Sequence, residues 1–139
     1  MRDICFRGQQ NDTREWRYGS FAQVDGDAFI ISPFSKMNDE YGVTVPDCVQ
    51  VLRETVGEFT GLVDQNGKQV FEGDYCRLTR TAVLAYGIIT FRNGCFWFVE
   101  TAMYEEGKQN WVRLCDLDVN GFKIEVKGNI HDSPKLAEV

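Results

Sequence analysis

Histidine is nearly absent from this chain: His131 is the only one in 139 residues. That excludes multi-histidine metal centres and makes any Ser-His-Asp or Cys-His device depend on a single residue. His131 stands beside Asp132 in NIHDSPK, where a strand end turns into a terminal helical stub, so an exposed or capping role is expected of it, not a catalytic one. Cysteine is present but unpatterned. Cys5, Cys48, Cys76, Cys95 and Cys115 include no C-x-x-C pair, which removes the spacing support for a zinc site. Their odd number and the lack of a secretory signal imply free thiols in a reducing cytoplasm. Cys48, Cys76 and Cys95 lie in apolar company, where free cysteine behaves as a small hydrophobe. No apolar run reaches the length of a membrane span.

Positive charge is also scarce. Fifteen Lys and Arg face twenty-one Asp and Glu, a net charge of −6, with no basic stripe. Duplex affinity rests on phosphate neutralisation, so the balance disfavours a general nucleic-acid binder and fits a protein kept soluble by repulsion. Arg77, Arg80 and Arg92 are the cations near the aromatic stretches, and whether they form a patch stays open. For Trp97, core packing is expected over nucleobase stacking. Gly57, Gly61 and Gly67 do not make a phosphate loop, since no Lys-Ser pair and no helix follow. Carboxylates are plentiful. Glu72 and Asp74 flank Gly73, with Asp64 across a hairpin and Cys76 close by, but acids at turn edges bond local backbone N–H groups more often than they bind metals. Asp116 and Asp118 alternate on one face, as on a solvated strand edge, and residues 105–108 (EEGK) read as a charged loop. The residues therefore indicate no catalytic, cofactor or metal site.

What the sequence has is sheet-forming residues and sharp turns. Apolar residues make up 43% and aromatics 13%, and thirteen glycines against three prolines suit many tight reversals. Residues 59–79, FTGLVDQNGKQVFEGDYCRLT, organise the rest. Asn66-Gly67 predicts a two-residue type I′ hairpin, and Gly73 predicts a corner that a side chain would strain. Asp25-Gly26 and Asn93-Gly94 predict two further I′ hairpins. Residues 2–7 alternate as a short strand, 8–13 read as turn, and a strand from Trp16 breaks near Gly19. A strand over 28–31 ends at Pro33, a loop covers 32–42, and 41–45 is a short β-like run. Residues 48–56 read as strand, with one helical turn as the alternative, and 111–119 stays open between the two. Arms 85–92 and 95–100 are apolar on both faces, which implies cover from a barrel interior on one side and from the N-terminal part or another subunit on the other. Residues 101–110 read as a loose polar segment. Residues 122–130 alternate as a strand, and Ser133-Pro134 caps a helical stub.

Such spacing predicts a mainly β protein: a small antiparallel SH3-like barrel over 58–139, an N-terminal β-hairpin extension over 1–57, and few helical turns. The stretches MRDICFRG, EWRYGSF at 15–21, ETVGEFTGLVDQNGKQVFEGDYCRL at 54–78 and VKGNIHDSPKL at 126–136 together resemble the YopX family of phage and prophage proteins. The TGL-D-NG-K-EGD core is the specific part, while 33–46 and 101–120 carry no family pattern. The resemblance implies a small β protein acting in the bacterial cytoplasm, self-associating, with no catalytic residues to transfer. Thr60, Gly61, Asp64, Asn66, Gly67, Glu72, Gly73 and Asp74 then shape the backbone. The expected function is non-enzymatic: a homo-oligomeric module that binds an unidentified host or phage protein without cofactor or membrane. A nucleic-acid-binding small barrel is the alternative.

Overall fold

The structure, a computed structural model, describes residues 1–32, 37–38, 43–44, 47–105 and 108–137. The described chain is mainly antiparallel β, as expected, with helix limited to 3₁₀ turns at Arg53–Thr55, Leu114–Asp116 and Pro134–Ala137. It divides into two compact units, Met1–Phe59 and Thr60–Val139.

The first unit contains β1 (Phe6–Gln9), β2 (Trp16–Val24), β3 (Asp27–Ser32), the short pair β4 (Met37–Asn38) and β5 (Val43–Thr44), β6 (Asp47–Val51), and the start of β7 (Gly57–Val63). The sheet order runs β6-β3-β2-β1-β7, with antiparallel pairing between each neighbouring pair. Asp25-Gly26 makes the predicted reversal: both residues have positive φ, and Val24 pairs with Asp27. Three expectations need correction. The first strand covers 6–9 instead of 2–7, carried past the expected turn by the pairing of Gly8 with Arg17 and Gln9 with Trp16; a Cβ on Gly8 would come within 2.9 Å of a Val51 methyl carbon. β2 does not break at Gly19. A Cβ there would stand 2.1 Å from the Ile31 carbonyl oxygen, so the glycine permits close strand approach and ends nothing. Residues 48–56 divide between both readings: strand to Val51, then one 3₁₀ turn whose Thr55 hydroxyl donates to Leu52 O at 2.6 Å. Within 32–42, Met37–Asn38 is strand and pairs with Val43–Thr44. The Pro33 stop and the remainder of 33–46 lie outside the described residues. The core is small, Ala28, Ile30 and Val51, with Phe6, Phe21 and Val56 packed on it. Beside it Arg7, Gln9 and Thr55 are buried, Gln9 N–H donating to Thr55 Oγ1 at 2.9 Å.

The second unit takes the rest of β7, then β8 (Gln69–Phe71), β9 (Asp74–Arg80), β10 (Val83–Arg92), β11 (Cys95–Glu105), β12 (Lys108–Arg113) and β13 (Lys123–Asn129). Its five-stranded sheet has the open order β12-β11-β10-β9-β13. Asn93-Gly94 is the expected I′ turn, positive in φ at both residues and closed by Arg92 opposite Cys95. The 101–110 segment is not loose. Its described part extends β11 and opens β12, with Met103 opposite Gln109 and Glu105 opposite Lys108, while 106–107 lie outside the description. Residues 111–119 are strand to Arg113, then 3₁₀ turn; Asp116 and Asp118 therefore sit on consecutive turns, not on one strand face. The core unites Val70, Cys76, Leu78, Ile89, Phe98, Leu114, Leu117 and Ile124.

Candidate interaction face

The residues singled out for chemistry are spent on backbone. At the 59–79 hairpin Asn66 does not adopt positive φ; only Gly67 does, at +81°. A type I turn over residues 64–67 carries Gly67 into the left-handed region, and the three-residue loop is closed by Asp64 N–H donating to Lys68 O at 2.7 Å. Asp64 dictates this choice. Its Oδ1 accepts the N–H groups of Asn66 (2.9 Å) and Lys68 (2.8 Å), and its Oδ2 accepts Val126 N–H at 3.0 Å. Burial pushes the Asp64 carboxyl up, but the three N–H donors and the Lys68 charge outweigh burial and hold it below the usual carboxylate range. A carboxylate so occupied is an anchor. The open cleft beside it, about 470 Å³ and lined in part by Leu62, Leu117 and Phe122, contains no second ionisable group aimed at Asp64 among the described hydrogen bonds.

The Glu72-Gly73-Asp74 corner behaves similarly. Gly73 has φ +91°, its N–H reaches Ile89 O at 2.8 Å, and its carbonyl accepts Ile130 N–H at 3.0 Å. Asp74, 1% exposed, accepts Phe71 N–H at 2.8 Å. His131 packs over the glycine, its Nε2 3.0 Å from where a Cβ would stand, and Asn129 Oδ1 accepts the His131 and Asp132 N–H groups. Sequence stretches more than fifty residues apart thus meet at one corner, as structure. Thr60, also in the motif, donates its hydroxyl to Val70 O at 2.8 Å.

All five cysteines are free, but Cys48 is exposed and Cys95 half-buried, so only Cys76 has the core place expected of the three. Cys5 lines an open cleft of about 440 Å³ with Trp16, Ile30 and Val49. Burial raises its thiol against a partly opposing backbone bond with Gly19, which keeps it protonated and poorly nucleophilic at neutral pH. Among the described residues no three His, Cys, Asp or Glu side chains gather as a metal set.

Sequence reasoning foresaw a second apolar face on this sheet and missed which side chains form it. Side chains of directly paired residues share a face. Ile89 pairs with Phe98, and both are buried. The alternate positions point the other way: Tyr75 opposite Ile88, Ile88 opposite Val99, Val99 opposite Trp111, and in neighbouring rows Tyr86 opposite Arg77 and Trp97 opposite Arg113. Trp97 is therefore half-buried on this face and not in the core, because Phe98 takes the inward position. Trp97 and Trp111 meet edge to face with centroids 6.0 Å apart, and the Arg92 guanidinium lies 5.3 Å from the Trp111 ring. Trp97 Nε1 donates to Arg92 O at 2.9 Å. At the other side Tyr75 and Tyr86 stack at 5.7 Å; burial, then the neighbouring Tyr86, raises the Tyr75 phenol. Arg77 pairs with Glu125, which Lys127 also bonds at 2.9 Å; Lys127 and Arg77 hold that carboxyl below its ordinary range.

The three arginines left open by the sequence do not form one patch. Arg80, the last residue of β9, pairs with Val83 and lies over Phe122, whereas Arg92 is nine residues beyond Val83 at the far end of β10, about 30 Å along the strand rise. Arg92 and Arg113 gather round the tryptophans instead.

No curated protein matches the chain. Among solved structures it is similar to the crystal structure of protein EF1440 from Enterococcus faecalis, with a TM-score of 0.54 and 19% identity, over 99% of this chain and 100% of that one. At that identity the likeness speaks for the fold alone. The family model described as YopX protein matches residues 5–138, through the 59–79 hairpin, the Gly73 corner and His131, and by that match the chain belongs to the YopX family.

Proposed function

We propose that this member of the YopX family is a non-enzymatic interaction module of phage or prophage origin that self-associates and works in the cytoplasm of the bacterial host. The observation carrying the reading is the apolar surface along β10. Val83, Leu84, Tyr86 and Phe91 are 47%, 55%, 37% and 49% exposed, spread over both faces of one strand. Leu84 and Tyr86 neighbour each other on one of these faces, and grouped apolar exposure of this kind marks a contact more often than it is left to water; a second copy of the chain is the partner assigned to it. Further support comes from the motif residues Thr60, Asp64 and Asp74, whose polar groups are spent on backbone bonds.

Size-exclusion chromatography with light scattering at micromolar concentration tests the reading. An oligomer is expected, reduced towards monomer by Leu84→Lys with Phe91→Lys. A strictly monomeric parent protein overturns self-association. Nucleic-acid binding is the second reading, favoured by the charge of the outward sheet face.

A further inference from the structure

The chain is acidic overall, yet the outward face of its five-stranded sheet is not. The described charged side chains in its outward rows and at its rim are Arg77, Arg92, Arg113, Lys123 and Lys127, against Glu125, Asp116 and Asp118, the last lining one cleft with Lys123. Glu125 is engaged by Arg77 and Lys127 and Asp116 by Arg113 Nε at 3.0 Å, so three of the five cations hold an acid that a phosphate would have to replace. Between the cations lie flat and aliphatic side chains in register. One row crosses four strands as Tyr75, Ile88, Val99 and Trp111, about 14 Å at ordinary strand spacing, with Trp97 and Tyr86 in the rows on either side.

We infer that this face binds single-stranded nucleic acid, with bases stacking on Trp97, Trp111 and the Tyr75–Tyr86 pair while Arg92, Arg113, Lys123 and Lys127 take backbone phosphates. The inference goes beyond self-association and does not depend on it, although a second copy seated on Tyr86 would compete with a base there. Aromatic side chains inside a local cationic field are what unpaired bases on a phosphate backbone require. A duplex hides its base faces and offers the tryptophans nothing to stack on. An acidic protein segment would use the cations and leave the aromatic row without a matched surface. The net charge of −6 does not decide against binding. Charges beyond a Debye length, about 10 Å at 0.1 M salt, are largely screened, so the local cations dominate there. Arg92 is placed for both tasks, since a guanidinium over an indole ring presents charge and a stacking plane together.

Fluorescence anisotropy of the full chain with labelled single-stranded DNA and RNA, a duplex and poly-glutamate, at about 0.1 M salt and protein up to about 100 µM, tests it. Single strands should bind and quench tryptophan fluorescence. Trp97→Ala and Trp111→Ala should each weaken binding about tenfold, with Trp97→Phe retaining most of it. Arg92→Gln with Arg113→Gln should flatten the logarithmic salt dependence by about 1.4. Circular dichroism and thermal melting of each variant separate lost binding from lost fold, and light scattering on the same samples follows self-association separately. No single-strand binding, a preference for duplex, equal binding of poly-glutamate, or indifference to folded tryptophan variants would each overturn the inference. An oligomer that fails to bind overturns it and leaves self-association standing.

Discussion

The two units solve the same problem with different materials. The second buries a contiguous set of large side chains centred on Phe98, Ile89 and Leu78. The first gathers only Ala28, Ile30 and Val51, and surrounds them with buried polar groups, Arg7 over Trp16 at 4.5 Å and Gln9 bonded to Thr55. Apolar burial is non-directional and tolerates substitution of similar volume, whereas a buried polar network fails when one partner is lost. The first unit should thus answer to hydrogen-bond chemistry above all, while the second, which also buries Asp64, Asp74, Glu100 and Asn129, should answer to volume in its larger apolar core as well as to its hydrogen bonds.

The strongest blow to that contrast is Phe98→Ala. It removes the most central large side chain of the second core and should cost about 3–5 kcal/mol in urea unfolding. A loss below about 1 kcal/mol would mean that this core is not where stability resides. Next comes Asp64→Asn, which replaces one of two carboxylate oxygens that together accept three N–H groups, for about 2–3 kcal/mol. Folding lowers the Asp64 pKa, so its contribution is complete above the unfolded carboxyl's value of about 3.9 and fades as pH falls through the folded value. Acid titration of stability should therefore be shallower in the Asn variant, and parallel curves would refute the anchor role. Thr55→Val conserves volume but withdraws the acceptor of Gln9 N–H. About 1–2 kcal/mol should be lost from a substitution that a volume-governed core would ignore. Smallest is Gly94→Ala at the exposed I′ turn, where open space surrounds the missing Cβ and only the positive φ opposes it, for about 1 kcal/mol by thermal melting.

The sequence made the fold class legible and the face obscure, for one reason. Asp25-Gly26 and Asn93-Gly94 announce themselves because backbone sterics alone determine those turns. Asn66-Gly67 misleads, since a carboxylate two residues earlier captures the neighbouring N–H groups and selects a different turn. Gly19 misleads in the other direction: its cause lies on β3, at the Ile31 carbonyl, and no local pattern records it. The outward face was hidden by excess of signal. With residues 96–99 all apolar, alternation cannot say that Phe98 goes in and Trp97 out. Pairing register decides that, and register is a property of the assembled sheet.

The Gly73 corner has a temporal consequence. One residue there holds Ile89 by its N–H and Ile130 by its carbonyl, and the second partner is separated by most of the unit's length. Closing so long a loop is slow and yields no contact until it is complete. A ribosome must therefore release residue 130 before the corner can shut, and the Ile130 amide should be among the last to gain protection in pulse-labelled refolding.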